Sequence, residues 1–264
     1  MVVHNRSREA MDELAAEGAK PASSAAVVAA QVDIVFTNLP DSVDVEQVVL
    51  GEKGIIEGAH KGLVHVDNST IKPATARLIA DKLAARGVLS LDAPVSGGDI
   101  GARDGTLTVM VGGSAEALER AMPVLKVMSK SVTHVGASGA GQVAKAANQI
   151  MVAAQMVAMG ELLVFARKVV EAIKGGAAQC WTLDVKPPRL FAGNRGPGFK
   201  ARMQLKDLRI IMETAREYEI PLPTTGENAK VYETMIEMGM GELDNSAVLG
   251  VLEKMAGVSL LDEA

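Results

Sequence analysis

The spacing of apolar residues divides the chain into two halves of different character. In the first half, short apolar runs with the length of buried strands alternate with segments that carry apolar residues at helical spacing. The runs with strand character cover residues 33–37, 63–67, 88–92, 107–111 and 132–135. The segments with helical character cover residues 8–17, 43–50, 74–86 and 115–128. Strands that alternate with helices of this length predict an α/β domain, in which a parallel sheet carries helices on both faces.

The second half, beyond Gly136, has no strand pattern and reads as helical almost throughout. Residues 142–168 predict one long helix that is apolar on every side, which indicates that it is buried. Further helical patterns cover residues 203–218, 225–238 and 246–255. We therefore predict an α/β domain at residues 1–136, followed by an all-helical domain at residues 137–264.

The junction around Lys168 departs from ordinary helix patterning. Two helical patterns meet between Arg167 and Glu171 without a Gly, Pro or Asn that would end the first of them. A helix that continued to Lys174 would be about 50 Å long at about 1.5 Å per residue. We therefore expect a break in the helix or a gap in the chain between Arg167 and Glu171.

Composition and charge exclude several classes of function. With 27 basic and 32 acidic side chains the net charge is −5, which offers no basic surface for nucleic acid or for an anionic membrane. The apolar runs are shorter than a membrane span requires. The single cysteine, Cys180, fits a reducing cytoplasm and is expected to be a small buried residue. The four histidines lack the spacing of metal ligands, so no metal site is predicted.

The stretch from Asp92 to Leu107 follows a predicted strand and contains four glycines among polar residues. Glycines allow a backbone to approach a ligand closely and to present its N–H groups to an anion. In an open parallel sheet, ligands bind beyond the carboxyl ends of the strands. Composition alone also fits a Gly-rich connection that binds nothing, and both interpretations stay open at this point.

Lys145 and Asn148 lie three residues apart near the start of the long apolar helix, hence on one face of it. A lysine is costly to bury unless its ammonium is paired or functional. The alternative is that the aliphatic stem of Lys145 packs on the protein while its ammonium extends to solvent. The spacing alone does not choose between these two interpretations.

Taken together, these motifs resemble the signatures of a known enzyme family. The stretch from Asp92 to Thr106 looks like a substrate-binding signature, and Gly139 to Gln149 looks like a catalytic signature. The supporting elements are Asn38-Leu39-Pro40, Asp67-Asn68-Ser69-Thr70, Gly198-Phe199 and Lys206-Asp207-Leu208. The chain thereby resembles the β-hydroxyacid dehydrogenase family, of the 3-hydroxyisobutyrate dehydrogenase and tartronate semialdehyde reductase (2-hydroxy-3-oxopropionate reductase) type. The resemblance implies a Rossmann-like dinucleotide-binding domain followed by a helical substrate and dimerisation domain.

The resemblance also implies a reaction and a set of site residues. The reaction would interconvert a short 3-hydroxy acid and its semialdehyde with NAD or NADP. Lys145 would be the catalytic residue and would donate a proton to the carbonyl oxygen. The positions implied to bind substrate are Ser96, Gly97, Gly98 and Asn148, and those implied to bind cofactor are Asn5, Arg6, Ser7, Leu39, Pro40, Thr70 and Lys206. A homodimer or tetramer formed through the helical half is expected.

Asn5-Arg6-Ser7 follows the first apolar stub, where dinucleotide-binding folds contact the adenosine ribose. An acidic residue at this place favours NAD, whereas a nearby Arg accommodates the 2′-phosphate of NADP. Arg6 therefore favours NADP slightly over NAD. The alternative is an ordinary helix start with Ser7 as its N-cap.

One family element is not found ahead of Asn5, namely the strand and G-x-G-x-x-G turn whose backbone N–H groups hold the pyrophosphate. From the sequence as it stands we expect weak NADP(H) binding and low turnover. The alternative function is therefore a truncated, catalytically weak family member that acts as a scaffold or as a small-acid-binding module. In either case a small hydroxy acid or semialdehyde is the expected partner, in the cytoplasm.

Overall fold

The computed structural model describes residues 1–166 and 169–259. The chain forms two compact units, Met1–Lys145 and Ala146–Ala264. The division falls within a helix, nine residues after the boundary that the sequence pattern favours at Gly136.

The first unit contains eight described strands in two sheets. The strands are β1 (Val2–Val3), β2 (Lys20–Pro21), β3 (Ile34–Thr37), β4 (Val64–Asp67), β5 (Leu89–Asp92), β6 (Val95–Ser96), β7 (Leu107–Gly113) and β8 (Ser129–Gly136). Strands β1 and β2 form a separate parallel pair. The other six form one sheet in the order β3-β4-β5-β7-β6, in which β8 also pairs with β7.

The larger sheet is only partly parallel, which corrects the expectation of an all-parallel sheet. Strands β3, β4 and β5 are parallel, and so are β7 and β8, but β7 runs antiparallel to both β5 and β6. A parallel connection needs a crossover of about a dozen or more residues. The short segment between Ser96 and Leu107 is not long enough for such a crossover, so the chain reverses direction there.

Seven helices belong wholly to the first unit in the described part of the chain. They are α1 (Arg8–Ala16), α2 (Ala25–Ala29), α3 (Ser42–Leu50), α4 (Ile55–Gly58), α5 (Pro73–Ala84), α6 (Gly98–Arg103) and α7 (Ala115–Met128). The sequence pattern predicts α1, α3, α5 and α7 to within about two residues at each end, the usual margin of helix boundaries. The short helices α2, α4 and α6 were not predicted.

The helix α8 (Ala140–Phe165) begins in the first unit and continues into the second. It is followed by α9 (Val170–Ile173), α10 (Trp181–Phe191), α11 (Ala201–Glu217), α12 (Pro223–Glu237), a 3₁₀ helix (Asn245–Val248) and α13 (Leu249–Ala256). The long helix therefore ends at Phe165, and α9 is a separate helix. The break was predicted between Arg167 and Glu171, and of that range Arg167 and Lys168 lie outside the described residues.

The core of the second unit forms around one side of α8. Five buried residues of this helix, Ala153, Met156, Val157, Met159 and Leu163, pack with apolar residues of α10, α11, α12 and α13. By length and composition alone α8 could cross a membrane, since its mean hydropathy is 1.3. The expectation that no apolar run reaches the length of a membrane span is therefore wrong for this helix. Packing against the other helices of this unit accounts for part of its apolar character.

Candidate active site

Lys145 lies in the first unit on α8, and its whole residue is only 7% exposed. Its Nζ donates a hydrogen bond to the Val95 carbonyl oxygen at 2.8 Å, so the ammonium is directed at strand β6. The alternative in which the ammonium extends to solvent is therefore wrong. The cost of burying this charge is met in part by the carbonyl dipole.

The glycine-rich stretch continues directly from the strand that Lys145 contacts. Ser96 ends β6, and Gly97 and Gly98 follow it with φ angles of +139° and +66°, which side chains with a Cβ rarely adopt. Gly97 and Gly98 are exposed and Ser96 is half-buried. The structure thus brings an accessible hydroxyl and an accessible stretch of backbone next to the Lys145 ammonium.

Asp92 fixes the start of α8 and thereby the position of Lys145. Its carboxylate accepts hydrogen bonds from the backbone N–H of Gly139 at 2.7 Å and of Gln142 at 2.9 Å. Burial raises the pKa of Asp92, against the lowering effect of these N–H donors. A carboxylate at this place satisfies the N–H groups that a helix leaves unpaired in its first turn.

Gly141 allows α8 to approach strand β7. A Cβ at this position would lie 2.6 Å from the Met110 carbonyl oxygen and 2.9 Å from Asp92 Oδ2. Because both neighbours are fixed, only glycine leaves the carboxylate enough room to reach the helix N-terminus.

Gln142 ties the same helix to the segment that follows β4. Its Oε1 accepts from the Ile71 N–H at 3.1 Å, and its Nε2 donates to the Ser69 carbonyl oxygen at 2.9 Å. Gln142 is 1% exposed, so this amide is satisfied entirely inside the unit. It connects the region around Thr70, a predicted cofactor position, with the helix that carries Lys145.

A second buried network joins the carboxyl ends of β3 and β4. Thr37 Oγ1 donates to Asp67 Oδ1 at 2.8 Å and is also 3.0 Å from His65 Nε2. Since a hydroxyl has one proton, His65 Nε2 carries the other proton and donates to Thr37. Burial lowers the pKa of His65 to about 4, so the ring is neutral near pH 7 and carries only the proton on Nε2. In that form Nδ1 accepts from Ser90 Oγ at 3.1 Å.

The same network fixes the backbone at Leu39. Ser69 Oγ donates to Asp67 Oδ1 at 2.6 Å and accepts from the Leu39 N–H at 2.8 Å. Burial raises the pKa of Asp67 to about 6, despite the hydrogen bonds from Ser69 and Thr37 that lower it. Leu39 and Thr70 are half-buried and Pro40 is exposed. These three positions consequently lie at one edge of the sheet, where ligands of open α/β sheets bind.

The residues after β1 suit the phosphate of a nucleotide. Asn5, Arg6 and Ser7 are exposed, and Ser7 occupies the N-cap position of α1. The structure therefore agrees with the alternative that Ser7 is the N-cap residue of a helix start, although its side chain makes no capping hydrogen bond. An exposed arginine two residues ahead of a helix N-terminus suits an anion. The residues at this end of the first unit therefore fit a phosphate of a nucleotide.

In the second unit the predicted residues Asn148 and Lys206 are connected through two others. Asn148 Nδ2 donates to Gln149 Oε1 at 2.9 Å, and Gln149 Nε2 donates to Asp207 Oδ2. Lys206 Nζ lies 2.8 Å from Asp207 Oδ1, a contact that is an ion pair rather than a hydrogen bond. Gln149 and Asp207 are 3% and 2% exposed.

The sequence pattern predicted no role for four buried polar residues beside the site residues, Asp67, Asp92, Gln142 and Gln149. Asp67 and Asp92 each end a predicted strand, which is a signal that could have marked them as groups at the ligand edge of the sheet. Cys180, expected to be buried, is half-buried at the start of α10. Within residues 1–166 and 169–259, no group of three or more His, Cys, Asp or Glu side chains could hold a metal ion.

Two family models match consecutive parts of the chain. Residues 1–136 match the family model for the NAD-binding domain of 6-phosphogluconate dehydrogenase. Residues 139–252 match the model described as NAD-binding of NADP-dependent 3-hydroxyisobutyrate dehydrogenase.

Individual proteins are similar over nearly the whole chain. The 2-hydroxy-3-oxopropionate reductase of Escherichia coli is 39% identical over 256 residues, which cover 94% of this chain and 88% of the relative. A solved structure of Mycobacterium tuberculosis 3-hydroxyisobutyrate dehydrogenase with L-serine has a TM-score of 0.86 at 31% identity and covers 94% of this chain and 89% of its own. The structure of Psf3 in complex with NADP⁺ and 2-OPP has a TM-score of 0.85 at 25% identity. The match covers 96% of this chain and 92% of that one.

These matches confirm the Rossmann-type fold with a helical second part and the enzyme class that the motifs indicate. They also confirm NAD(P) as the cofactor class. The chain belongs to the β-hydroxyacid dehydrogenase family, as an NAD(P)-dependent hydroxyacid dehydrogenase.

Proposed function

We propose that this enzyme interconverts a short 3-hydroxy acid and its semialdehyde, with a substrate of the 2-hydroxy-3-oxopropionate or 3-hydroxyisobutyrate type. The observation that carries the proposal is the buried Lys145, whose ammonium donates to the carbonyl oxygen of Val95. Val95 directly precedes Ser96 and Gly97 in the sequence. The names of the E. coli and M. tuberculosis proteins support this class of substrate.

Lys145 acts as the general acid in the direction of reduction. The cofactor, when bound, supplies the hydride that the carbonyl carbon gains. Negative charge then develops on the carbonyl oxygen, and an ammonium at that oxygen both stabilises the charge and donates the proton. In the oxidative direction the neutral amine of Lys145 takes the hydroxyl proton back. The Val95 carbonyl keeps the ammonium in place until substrate replaces it as acceptor.

The carboxylate of the substrate binds at Ser96, Gly97 and Gly98, through the serine hydroxyl and the exposed backbone N–H groups. Asn148 contributes an amide for the hydroxyl or the carboxylate. A negatively charged group gains from charge-assisted hydrogen bonds of this kind, which are about twice as strong as neutral ones. A short chain between carboxylate and carbonyl is required, since Ser96 follows Val95 directly.

NADP is the proposed cofactor in preference to NAD. Arg6 binds the 2′-phosphate, together with Asn5 and Ser7, while Leu39, Pro40 and Thr70 line the rest of the nucleotide and Lys206 adds a further contact. The exposed guanidinium of Arg6, ahead of a helix without a side-chain cap, supports this choice.

The role of Lys145 is tested by Lys145→Met, which keeps the length of the side chain and removes the ammonium. We expect kcat for reduction of tartronate semialdehyde to fall about 10²–10⁴-fold, the range of a positioned acid. Lys130→Met, at an exposed lysine of β8, is the matched control and should retain full activity. Near-normal turnover of the Lys145 variant, with an unchanged circular dichroism spectrum, would show that Lys145 is not the general acid.

The cofactor preference is tested by Arg6→Ala, with NADH as internal reference because it lacks the 2′-phosphate. A charged hydrogen-bond partner contributes about 1.5–3 kcal/mol. We therefore expect the Kd for NADPH to rise about 10–100-fold, whereas the Kd for NADH changes little. Calorimetry of both nucleotides makes the comparison, and an equal change for both would contradict the assignment.

We also propose that the enzyme forms a homo-oligomer in the cytoplasm. Three large apolar residues of α8 are strongly exposed in the single chain, Val143 at 52%, Met151 at 57% and Phe165 at 90%. A second copy of this chain covering that helix would explain them, because such side chains gain by burial. Light scattering should therefore report a dimer or tetramer. The single cysteine supports a place in the cytoplasm.

A further inference from the structure

Four polar side chains of the second unit form a continuous chain of contacts. Asn148 donates to Gln149, Gln149 donates to Asp207, and Asp207 is paired with Lys206. Both end members are site residues in the proposed function, whereas the two middle members are buried and do not reach the surface.

The carboxylate of Asp207 determines which group donates in each hydrogen bond of this series of contacts. An ionised carboxylate only accepts hydrogen bonds, so the amide of Gln149 must turn its Nε2 toward Asp207. Its Oε1 then faces the other way and must accept, which turns Nδ2 of Asn148 toward it. Since the Nδ2 of Asn148 is directed at Gln149, its Oδ1 takes no part in this hydrogen bond and can accept another one.

The same geometry holds the carboxylate that pairs with Lys206. Asp207 Oδ2 is fixed by Gln149, so Oδ1 stays in a single orientation, 2.8 Å from the Lys206 ammonium. The Lys206 side chain is 15% exposed, so it is not fully buried, in contrast to that of Asp207 at 3%. Without Gln149 the buried carboxylate would lose a donor and could rotate away from the lysine.

We propose that Gln149 is a positioning residue, which holds Asp207 against Lys206 and fixes the amide orientation of Asn148, so that Asn148 offers an acceptor oxygen to the substrate hydroxyl. This proposal rests on the proposed function for the roles of Asn148 and Lys206. Gln149 itself touches neither substrate nor cofactor.

The first experiment needs no cofactor and measures the reactivity of Lys206 in the complete chain. An amine-directed acylating reagent is added, and mass spectrometry compares labelling of Lys206 with that of the exposed Lys230. In Gln149→Leu we expect labelling of Lys206 to rise at least about threefold, because the ion pair is no longer held in place. Gln204→Leu is the matched control, since Gln204 is also a buried amide of this unit but bonds to Asn245.

Unchanged Lys206 labelling in folded Gln149→Leu overturns the proposal, and so does an equal rise in Gln204→Leu. If Gln149→Leu does not fold, Gln149→Asn replaces it, because it keeps the amide but is one methylene too short to reach Asp207. The same rise in labelling is expected there, and its absence counts against the proposal in the same way.

The second experiment is a double-mutant cycle with Lys206→Ala. We expect Gln149→Leu to lower kcat/KM about tenfold in the wild-type background and less than about twofold in the Lys206→Ala background, since coupled residues are not additive. An equal loss in both backgrounds would make Gln149 merely structural and overturn the proposal. If Lys206→Ala alone leaves kcat/KM unchanged, the role of Lys206 in the proposed function fails, and the labelling experiment still decides the position of Gln149.

Discussion

The tripeptide Asp-Asn-Ser occurs once in each unit, and the two copies have the same local geometry but opposite electrostatics. In Asp67-Asn68-Ser69, the serine N–H and Oγ both donate to Asp67 Oδ1. In Asp244-Asn245-Ser246, the serine N–H and Oγ donate to Asp244 Oδ1 in the same way. Both aspartates are at most 3% exposed.

The pKa values of the two aspartates nevertheless move in opposite directions. For Asp67, burial is the largest effect and raises the pKa to about 6. For Asp244, burial also raises the pKa, but the hydrogen bonds and charge of Lys186, with those of Ser246 and Gly198, outweigh it and lower the pKa to about 2. Lys186 Nζ lies 2.7 Å from Asp244 Oδ1. The turn alone therefore does not determine the charge state of the carboxylate; the presence of a buried lysine does.

The largest expected effect comes from removing that lysine. Lys186→Met keeps the length of the side chain but leaves Asp244 buried without its cation, which costs about 3–5 kcal/mol when one partner of a buried pair is lost. Urea unfolding at pH 7.5 measures the loss, and it should become smaller as the pH is lowered toward 4, because Asp244 then takes up a proton. Lys230→Met, which breaks an exposed pair with Glu227, should leave the stability almost unchanged.

A loss for Lys186→Met no larger than that for Lys230→Met would show that the two tripeptides do not differ through this lysine. In that case the hydrogen bonds from the backbone N–H of Gly198 and Phe199 would be sufficient to hold the Asp244 carboxylate.

The next effect concerns pH and the pair His65 and Asp67. The pKa of Asp67 is higher in the fold than the ordinary 3.8, so its contribution to stability is fully present below about pH 4 and is lost as the pH rises through about 6. The pKa of His65 is lower in the fold than the ordinary 6.5, so its contribution is present above pH 6.5 and is lost as the pH falls through about 4. In the wild type, the contributions of Asp67 and His65 therefore change the free energy of unfolding in opposite directions as the pH is varied.

Asp67→Asn removes the pH-dependent contribution of Asp67 to the free energy of unfolding and leaves that of His65. The His65 contribution is the same in both proteins, so the difference between them is the contribution of Asp67. Its pKa shift from 3.8 to about 6 corresponds to about 3 kcal/mol, at about 1.4 kcal/mol for each pKa unit. We therefore expect the free energy of unfolding of Asp67→Asn to fall by about 2–3 kcal/mol more than that of the wild type between pH 7 and pH 4. Asp33→Asn, at an exposed carboxylate of the same unit, should follow the wild-type curve. Parallel curves for wild type and Asp67→Asn would contradict this balance.

The sequence predicted the parts of the fold and site that depend on local pattern or on a recognisable motif. The helices α3, α5 and α7 follow from apolar spacing, and Lys145 with Ser96 to Gly98 follows from the motifs. The helix α10 was missed because Pro187 and Pro188, which ordinarily interrupt helices, lie inside it. The helix α2 was missed because five residues of Ala and Val carry no helical period.

The polar networks could not be predicted, because they depend on register and on contacts distant in sequence. Thr37 meets Asp67 only because the two are opposite each other in the β3–β4 pairing. Gln142 reaches Ser69 across 73 residues, and Gln149 reaches Asp207 across 58. A single sequence gives no measure of which strands are neighbours or how they are aligned, so buried partners of this kind appear only in the structure.

The smallest expected effect separates the two serines of the matched tripeptides. At pH 7.5 both aspartates are ionised, so Ser69→Ala and Ser246→Ala should each cost about 2 kcal/mol, the range for hydrogen bonds to charged groups. At pH 5 Asp67 is largely protonated, since its pKa is about 6, whereas Asp244 stays ionised with a pKa of about 2. The cost of Ser69→Ala should therefore fall to about 1 kcal/mol, the value for a neutral pair, while that of Ser246→Ala stays the same. Urea unfolding of both variants at the two pH values makes the comparison, and an equal change for both serines would mean that the lysine beside Asp244 does not set its charge state.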